Sequence, residues 1–145
     1  MLTACLLINF ATAWYFTGLI WWVQLVSYPT LAHIPPQAWP TAHALHVRRA
    51  GMAVVVPMLL EGMAAIGLVI LLEGGSRSIA WLALIALAGV WISTFGLQVP
   101  LHSRLSRGHN PALIERLVIG NLLRAVLWTA RGILAVLLVL PVLKA

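Results

Sequence analysis

Hydrophobic residues run through this chain in four long blocks, roughly 4–27, 50–72, 78–100 and 117–143, separated by short polar intervals. Each block can cross about 30 Å of hydrocarbon, which takes around 20 helical residues. Inside lipid every backbone polar group needs a partner within its own segment, so the blocks predict helices. Transmembrane strands would show short segments of alternating polarity, and none occur. Loops are expected at 28–49, at 73–77, where Glu-Gly-Gly-Ser-Arg reads as a tight turn, and at 101–116. The expected fold is an all-α integral membrane four-helix bundle, with residues 1–145 as one domain and no internal repeat.

Composition agrees. Of the 145 residues 62% are hydrophobic and 8% charged, with a mean hydropathy of +1.01. A soluble domain carries about 25% charged residues, so too little polar surface exists to coat a water-soluble globule. The net charge of +6 would suggest nucleic acid in a soluble protein. Here the arginines lie at the ends of apolar blocks or inside one and form no basic face, which argues against nucleic-acid binding. The single cysteine, Cys5, excludes an intramolecular disulfide. Leu2-Thr3-Ala4-Cys5 matches a lipoprotein cleavage box by letters only, since no charged start or apolar stretch precedes it. The first block is also too long for a signal peptide and is expected to stay in the membrane.

Charge sets the expected orientation. Arg48, Arg49, Arg104, Arg107 and Arg116 belong to the first and third loops, against Arg77 and Lys144 on the other side. The positive-inside rule then puts loops one and three in the cytoplasm and both termini outside a cell membrane. Trp21, Trp22, Tyr28 and Trp39 near one end, and Trp81 near the other, fit interfacial aromatic belts. Phe10, Trp14, Thr17, Trp21 and Gln24 share one helical face, the pattern of a packed bundle core.

Candidate chemistry lies in polar residues that lipid would not tolerate: Gln24 in the first block, Glu61 in the second, Thr94 and Gln98 in the third, and Asn121, Arg124 and Arg131 in the fourth. At about 100° per residue, Asn121, Arg124, Trp128 and Arg131 form one stripe that must face the bundle interior. Glu61 is the sole acid inside any block. Counted along parallel helices, it lies within about 5 Å of the depth of either arginine, so it can answer one or bridge both. One carboxylate cannot neutralise two guanidiniums. The surplus cation calls for carbonyls, water or an anionic ligand, and intramembrane charge marks a functional site by default. Pro57 leaves the Ala53 carbonyl without its helical donor, offering a further acceptor for an arginine or a ligand. Gly96, four residues before Pro100, eases a bend there.

His43 and His46 have i, i+3 spacing just before the second block, and His102 follows the third at similar depth. Together they could make a three-nitrogen site. Imidazole suits copper, iron or zinc, with an open position for catalysis. His43 and Glu61 are about 27 Å apart along a straight helix, so Glu61 cannot share that metal.

Gln98-Val-Pro-Leu-His102-Ser-Arg-Leu105, followed by Asn121-Leu-Leu-Arg124, resembles small bacterial four-span membrane proteins of unknown function. It is also similar to the anthrone-oxygenase-like membrane domain, over roughly the last fifty residues. That resemblance implies a bacterial inner membrane, oxidation of phenolic polycyclic substrates without an obvious cofactor, and His102, Asn121 and Arg124 as site residues. His102 stands where the looser pattern more often has Asn. A more distant similarity, in length and span count, is to four-helix haem-binding protoporphyrinogen oxidases. No hydrophobic block here contains a histidine, which argues against bis-imidazole haem.

The expected function is therefore a membrane oxidoreductase, oxygenase-like, acting on a hydrophobic aromatic or quinone-like molecule. Arg124, Gln98 and Asn121 would hold its oxygen, with Gln24, Trp128 and Arg131 around it, and Glu61 or His102 would act as base. The alternatives are a non-catalytic membrane subunit whose polar stripe glues helices or copies of the chain together, and a metal-binding protein centred on His43, His46 and His102.

Overall fold

A computed structural model of the chain describes residues 1–143. Four helices make up the fold: α1 Leu2–Ala32, α2 Trp39–Leu71, α3 Gly74–Leu105 and α4 Pro111–Leu143. All four are long and apolar enough to cross a membrane. Lys144, counted in the charge argument, lies outside the described residues.

The helices outrun the hydrophobic blocks at most of their ends. The expected loop at 28–49 shrinks to 33–38, and that at 101–116 to 106–110. Hydropathy marks only what lipid accepts, whereas His43, His46 and Arg48 are compatible with a helix once Pro40 has set its first turn. At α4 the start is chemical. Pro111 opens the helix and Asn110 caps it, its side-chain oxygen accepting the Leu113 N–H at 3.1 Å. The expected turn at 73–77 is shorter still. Only Leu72 and Glu73 separate α2 from α3, because Gly74 takes a φ of 54° that a side chain would resist.

Two helices carry a π turn. Val23–Ser27 in α1 and Thr94–Gln98 in α3 each begin six residues before a proline, Pro29 and Pro100. A proline supplies no N–H and crowds the carbonyl four residues back, here Leu25 and Gly96. Widening the helix by one residue relieves both problems. The bend expected at Gly96 is thus a change of helix type. Pro57 in α2 is handled differently. Tyr15 donates its hydroxyl to the Ala53 carbonyl at 3.0 Å, so that acceptor is taken within the bundle and is not free for an arginine or ligand.

α1 and α3 each pack against both α2 and α4, which places α2 and α4 diagonally across the bundle. The core has three layers. Leu6, Leu68, Ala80 and Leu138 fill one end, Phe16, Met58, Leu87 and Trp128 the middle, and Tyr28, Trp39, Leu105 and Leu117 the end carrying the first and third loops. Large apolar side chains such as Leu59, Met63, Ile85, Ile92 and Ile133 point outward, as lipid contact requires. The protein is a multi-pass membrane four-helix bundle.

Candidate functional site

Two polar centres lie inside the bundle at different depths, and they behave differently. The deeper one satisfies its guanidinium within the bundle, although the buried Glu61 Oε2 has no hydrogen-bond partner among the described residues. Arg131 donates from Nε to Glu61 Oε1 at 2.9 Å, its Nη2 lies 2.6 Å from the same oxygen, and Nη2 also donates to Asn9 Oδ1 at 2.9 Å. Its Nη1 donates to the Ala83 carbonyl. Each helix contributes one partner: Asn9 from α1, Glu61 from α2, Ala83 from α3 and Arg131 from α4. Glu61 is fully buried and Arg131 is 1% exposed.

Depth counting along α2 and α4 left Glu61 free to answer either arginine or to bridge both; in the structure it pairs with Arg131 and does not reach Arg124. Nor does Glu61 reach the cavity described below, which removes it as a base for a molecule bound there. Trp128 and Arg131, expected to contact substrate, also lie off the cavity. Trp128 stacks on Phe16 with ring centroids 4.4 Å apart and belongs to the core.

The second centre is open. A cavity of about 710 Å³ runs between the first half of α2 and the last half of α3, backed by α1 and α4. This is within the roughly 300–1,000 Å³ usual for small-molecule sites. Its polar wall is Tyr28, His43, His46, Gln98, His102 and Arg124, and Phe16, Ile20, Val54 and Met58 form its apolar wall. Ser103 and Ser106 stand at the loop end, and the exposed Arg48 flanks the cavity from α2. The side is ringed by Val47, Val55, Phe95 and Val99, all exposed, so the cavity opens laterally toward the bilayer.

Arg124 is the unmatched charge. Its Nη1 donates to Asn121 Oδ1 at 3.3 Å, while its buried Nε has no partner. Among the described residues no carboxylate lies within ion-pair distance of it. Asn121 holds this geometry, because its amide donates to Gln24 Oε1 at 2.9 Å and ties α4 to α1. Gln24 and Asn121 thus stand behind the cavity wall as positioning residues. Gln98 is 2% exposed and lines the cavity, and its Nε2 is a second buried donor without a partner.

Gly120 keeps that amide in place by being small, since a Cβ there would come within 2.9 Å of Gln98 Nε2. Gly120→Ala should fold at least as well, because alanine gains up to about 1 kcal/mol of helix propensity. It should nevertheless bind cavity ligands more weakly, as titration of wild type and variant with one hydrophobic phenol would show.

The three histidines do converge. His43 Nε2 and His102 Nδ1 are 3.2 Å apart, in rings 28° from coplanar with centroids 5.4 Å apart, the spacing of imidazoles joined edge to edge. His102 Nε2 lies 3.2 Å from the Tyr28 hydroxyl, which also lies 3.3 Å from Gln98 Oε1. Both nitrogens of His102 are therefore engaged, leaving it no lone pair for a metal. Among the described residues no three His, Cys, Asp or Glu are arranged to hold an ion, so His43, His46 and His102 form a hydrogen-bonded and packed cluster in place of the expected three-nitrogen set. All three lie within helices, so the premise that spans lack histidine does not hold for α2 and α3 as folded.

Sequence reasoning passed over two residues. Tyr28 was assigned to an aromatic belt, yet it is buried and lines the site. Asn9, the sole amide of the first half of α1, was not singled out, though polarity at that depth was a usable signal.

The fold and cavity define a multi-pass membrane protein with a largely apolar pocket that carries one polar wall. Comparison with protein-family models, curated proteins and solved structures finds no match.

Proposed function

We propose that the protein is a membrane-embedded oxidoreductase acting on a hydrophobic aromatic or quinone-like molecule that enters the cavity from the bilayer. The observation that carries this reading is the pair of unmatched buried donors, Arg124 Nε and Gln98 Nε2, in an otherwise largely apolar cavity. Buried donors left unpaired are costly. Arg124 lines that cavity with no carboxylate among the described residues to answer it, and an oxygen bearing negative charge bound there would do so; fixed charge in a low-dielectric site stabilises charge that develops there. His102 lines the cavity, and it would act as base by exchanging its Tyr28 or His43 hydrogen bond for one to the bound molecule. Oxidation, over other reactions, rests on the resemblance to anthrone-oxygenase-like domains. The basic loops support a cell-membrane orientation with the cavity mouth near the cytoplasmic face and both termini outside.

A second reading, a non-catalytic membrane subunit, is favoured by the Arg131 network, whose guanidinium is matched within one chain. That network leaves nothing exposed to glue copies together, and it does not account for the cavity.

The test is ligand-induced stabilisation of purified protein against heat, with a panel of hydrophobic phenols and quinones. At a hundredfold excess over Kd a ligand adds about 2.7 kcal/mol, or about 5–10 °C in Tm for a chain of this size. Arg124→Ala should fold and lose that shift. An equal shift in the variant, or none in wild type across the panel, would overturn the proposal.

A further inference from the structure

Polarity inside the cavity is sorted by depth. Tyr28, His46, Gln98 and His102 come from the loop-side ends of α1, α2 and α3. The Arg124 guanidinium turns toward the same end, since its Nη1 donates to Asn121, one turn nearer the loop. Phe16, Ile20, Val54 and Met58 line the deeper part and belong to, or pack on, the middle layer of the core. Thr94 adds one hydroxyl on the way, but it is spent on the Val90 carbonyl at 2.8 Å. We infer that the cavity takes a ring bearing one long apolar chain. The ring oxygen lies at the loop-side polar end, and the chain runs along the deep wall and leaves between Val55 and Phe95.

The inference rests on the cavity reading proposed above and adds the class of molecule and its orientation. An amphiphile dissolved in the loop-side half of a bilayer keeps its polar end near the headgroups, because burying that end without partners is costly. Its chain then points toward the middle of the membrane. The cavity has the same order of polarity along the same axis, so such a molecule enters sideways without turning over. A bare ring would answer the polar end alone. It would leave the apolar part of a cavity of about 710 Å³ without atoms to touch, and dispersion contacts would be lost there.

The helices make room for the chain. The loop-side half of α3 packs on α4, and its π turn, Thr94–Gln98, brings Thr94, Phe95 and Gln98 to the cavity. On the facing helix, Gly51 lines the wall between His46 and Val54, and a Cβ there would meet nothing within 4 Å. That open space lies where the chain passes from the polar end to the deep wall. A leucine at this position would fill it, while helix propensity would favour the change.

The probe is 4-decylphenol carrying a photoactivatable diazirine midway along its chain, added to the full protein in phosphatidylcholine nanodiscs. Irradiation should give adducts at residues 54–58 and 94–95 that excess phenol without a chain suppresses. Suppressible adducts at 43–48 or 102–106 instead would overturn the inference and leave the cavity reading intact. If excess phenol suppresses no adduct, the cavity reading falls and the inference with it. Suppression by phosphatidylglycerol, added in the same amount as phenol and equally effective, would assign the cavity to a phospholipid and overturn the inference. Gly51→Leu should melt no lower than wild type and bind phenol equally well. It should bind the chain-bearing probe about tenfold more weakly, the scale of overfilling a packed space. Equal binding of that probe by wild type and Gly51→Leu would put the chain elsewhere and overturn the inference.

Discussion

Arg131→Met is expected to lower thermal stability more than any other single change at a polar residue. It leaves the Glu61 carboxylate buried without a cation, and the Asn9 oxygen and Ala83 carbonyl without their donor. Breaking a buried pair from one side costs about 3–5 kcal/mol, or on the order of 10 °C in Tm for a chain of this length. Replacing both partners by apolar residues of similar volume is often neutral or stabilising. The double variant Glu61→Leu, Arg131→Met should therefore melt above Arg131→Met. It should still melt below wild type, because Asn9 and Ala83 remain unanswered. Melting curves of the three proteins in one detergent check this. A double variant no more stable than Arg131→Met would mean that the pair is not what ties the four helices together.

The second large effect is expected at Trp39. Its ring is 1% exposed and packs in the layer of Tyr28, Leu105 and Leu117, and its indole N–H donates to the Leu105 carbonyl at 2.8 Å. Leu105 ends α3, where carbonyls lose their regular helical donors, and its oxygen also accepts the Gly108 N–H at 3.2 Å. The indole thus caps α3 from the start of α2 while its face supports His43. Trp39→Ala should cost about 3–5 kcal/mol through the void it leaves. Trp39→Phe keeps a ring over His43 and should cost about 1 kcal/mol for the hydrogen bond. Measured by thermal melting, similar losses in the two variants would show that the void is not the larger contribution.

How far the molecule can be read from its sequence depends on the kind of signal. Spans are legible because lipid punishes any polar residue locally, so four blocks of hydrophobic residues gave four helices. The stripe of Asn121, Arg124, Trp128 and Arg131 is legible because α4 keeps one helical period throughout that stretch. Depth counting brought Glu61 within reach of Arg124 and Arg131 alike, since all three lie on helices running the same way, and did not choose between them. Tyr28 and His102 lie beyond π turns, where one extra residue per turn rotates everything that follows by about 100° relative to a regular helix. A reading that assumes 3.6 residues per turn puts such residues on the wrong face. The signal for those turns is present in Pro29 and Pro100, but Pro57 produces no such turn. The prolines alone do not say which helices widen. Asn9 and the Ala83 carbonyl join Arg131 through tertiary packing, which local periodicity does not encode.

The lateral mouth between Val47, Val55, Phe95 and Val99 has a consequence for supply. A guest arriving through it is drawn from the surrounding leaflet, so occupancy follows its mole fraction among the lipids and not its dissolved level in water. Molecules that partition strongly are crowded into that thin layer, and a site of modest intrinsic affinity can stay filled and still exchange quickly. Diluting the protein with extra lipid at constant total guest should then empty the cavity, even though the amount of guest per volume of suspension has not changed.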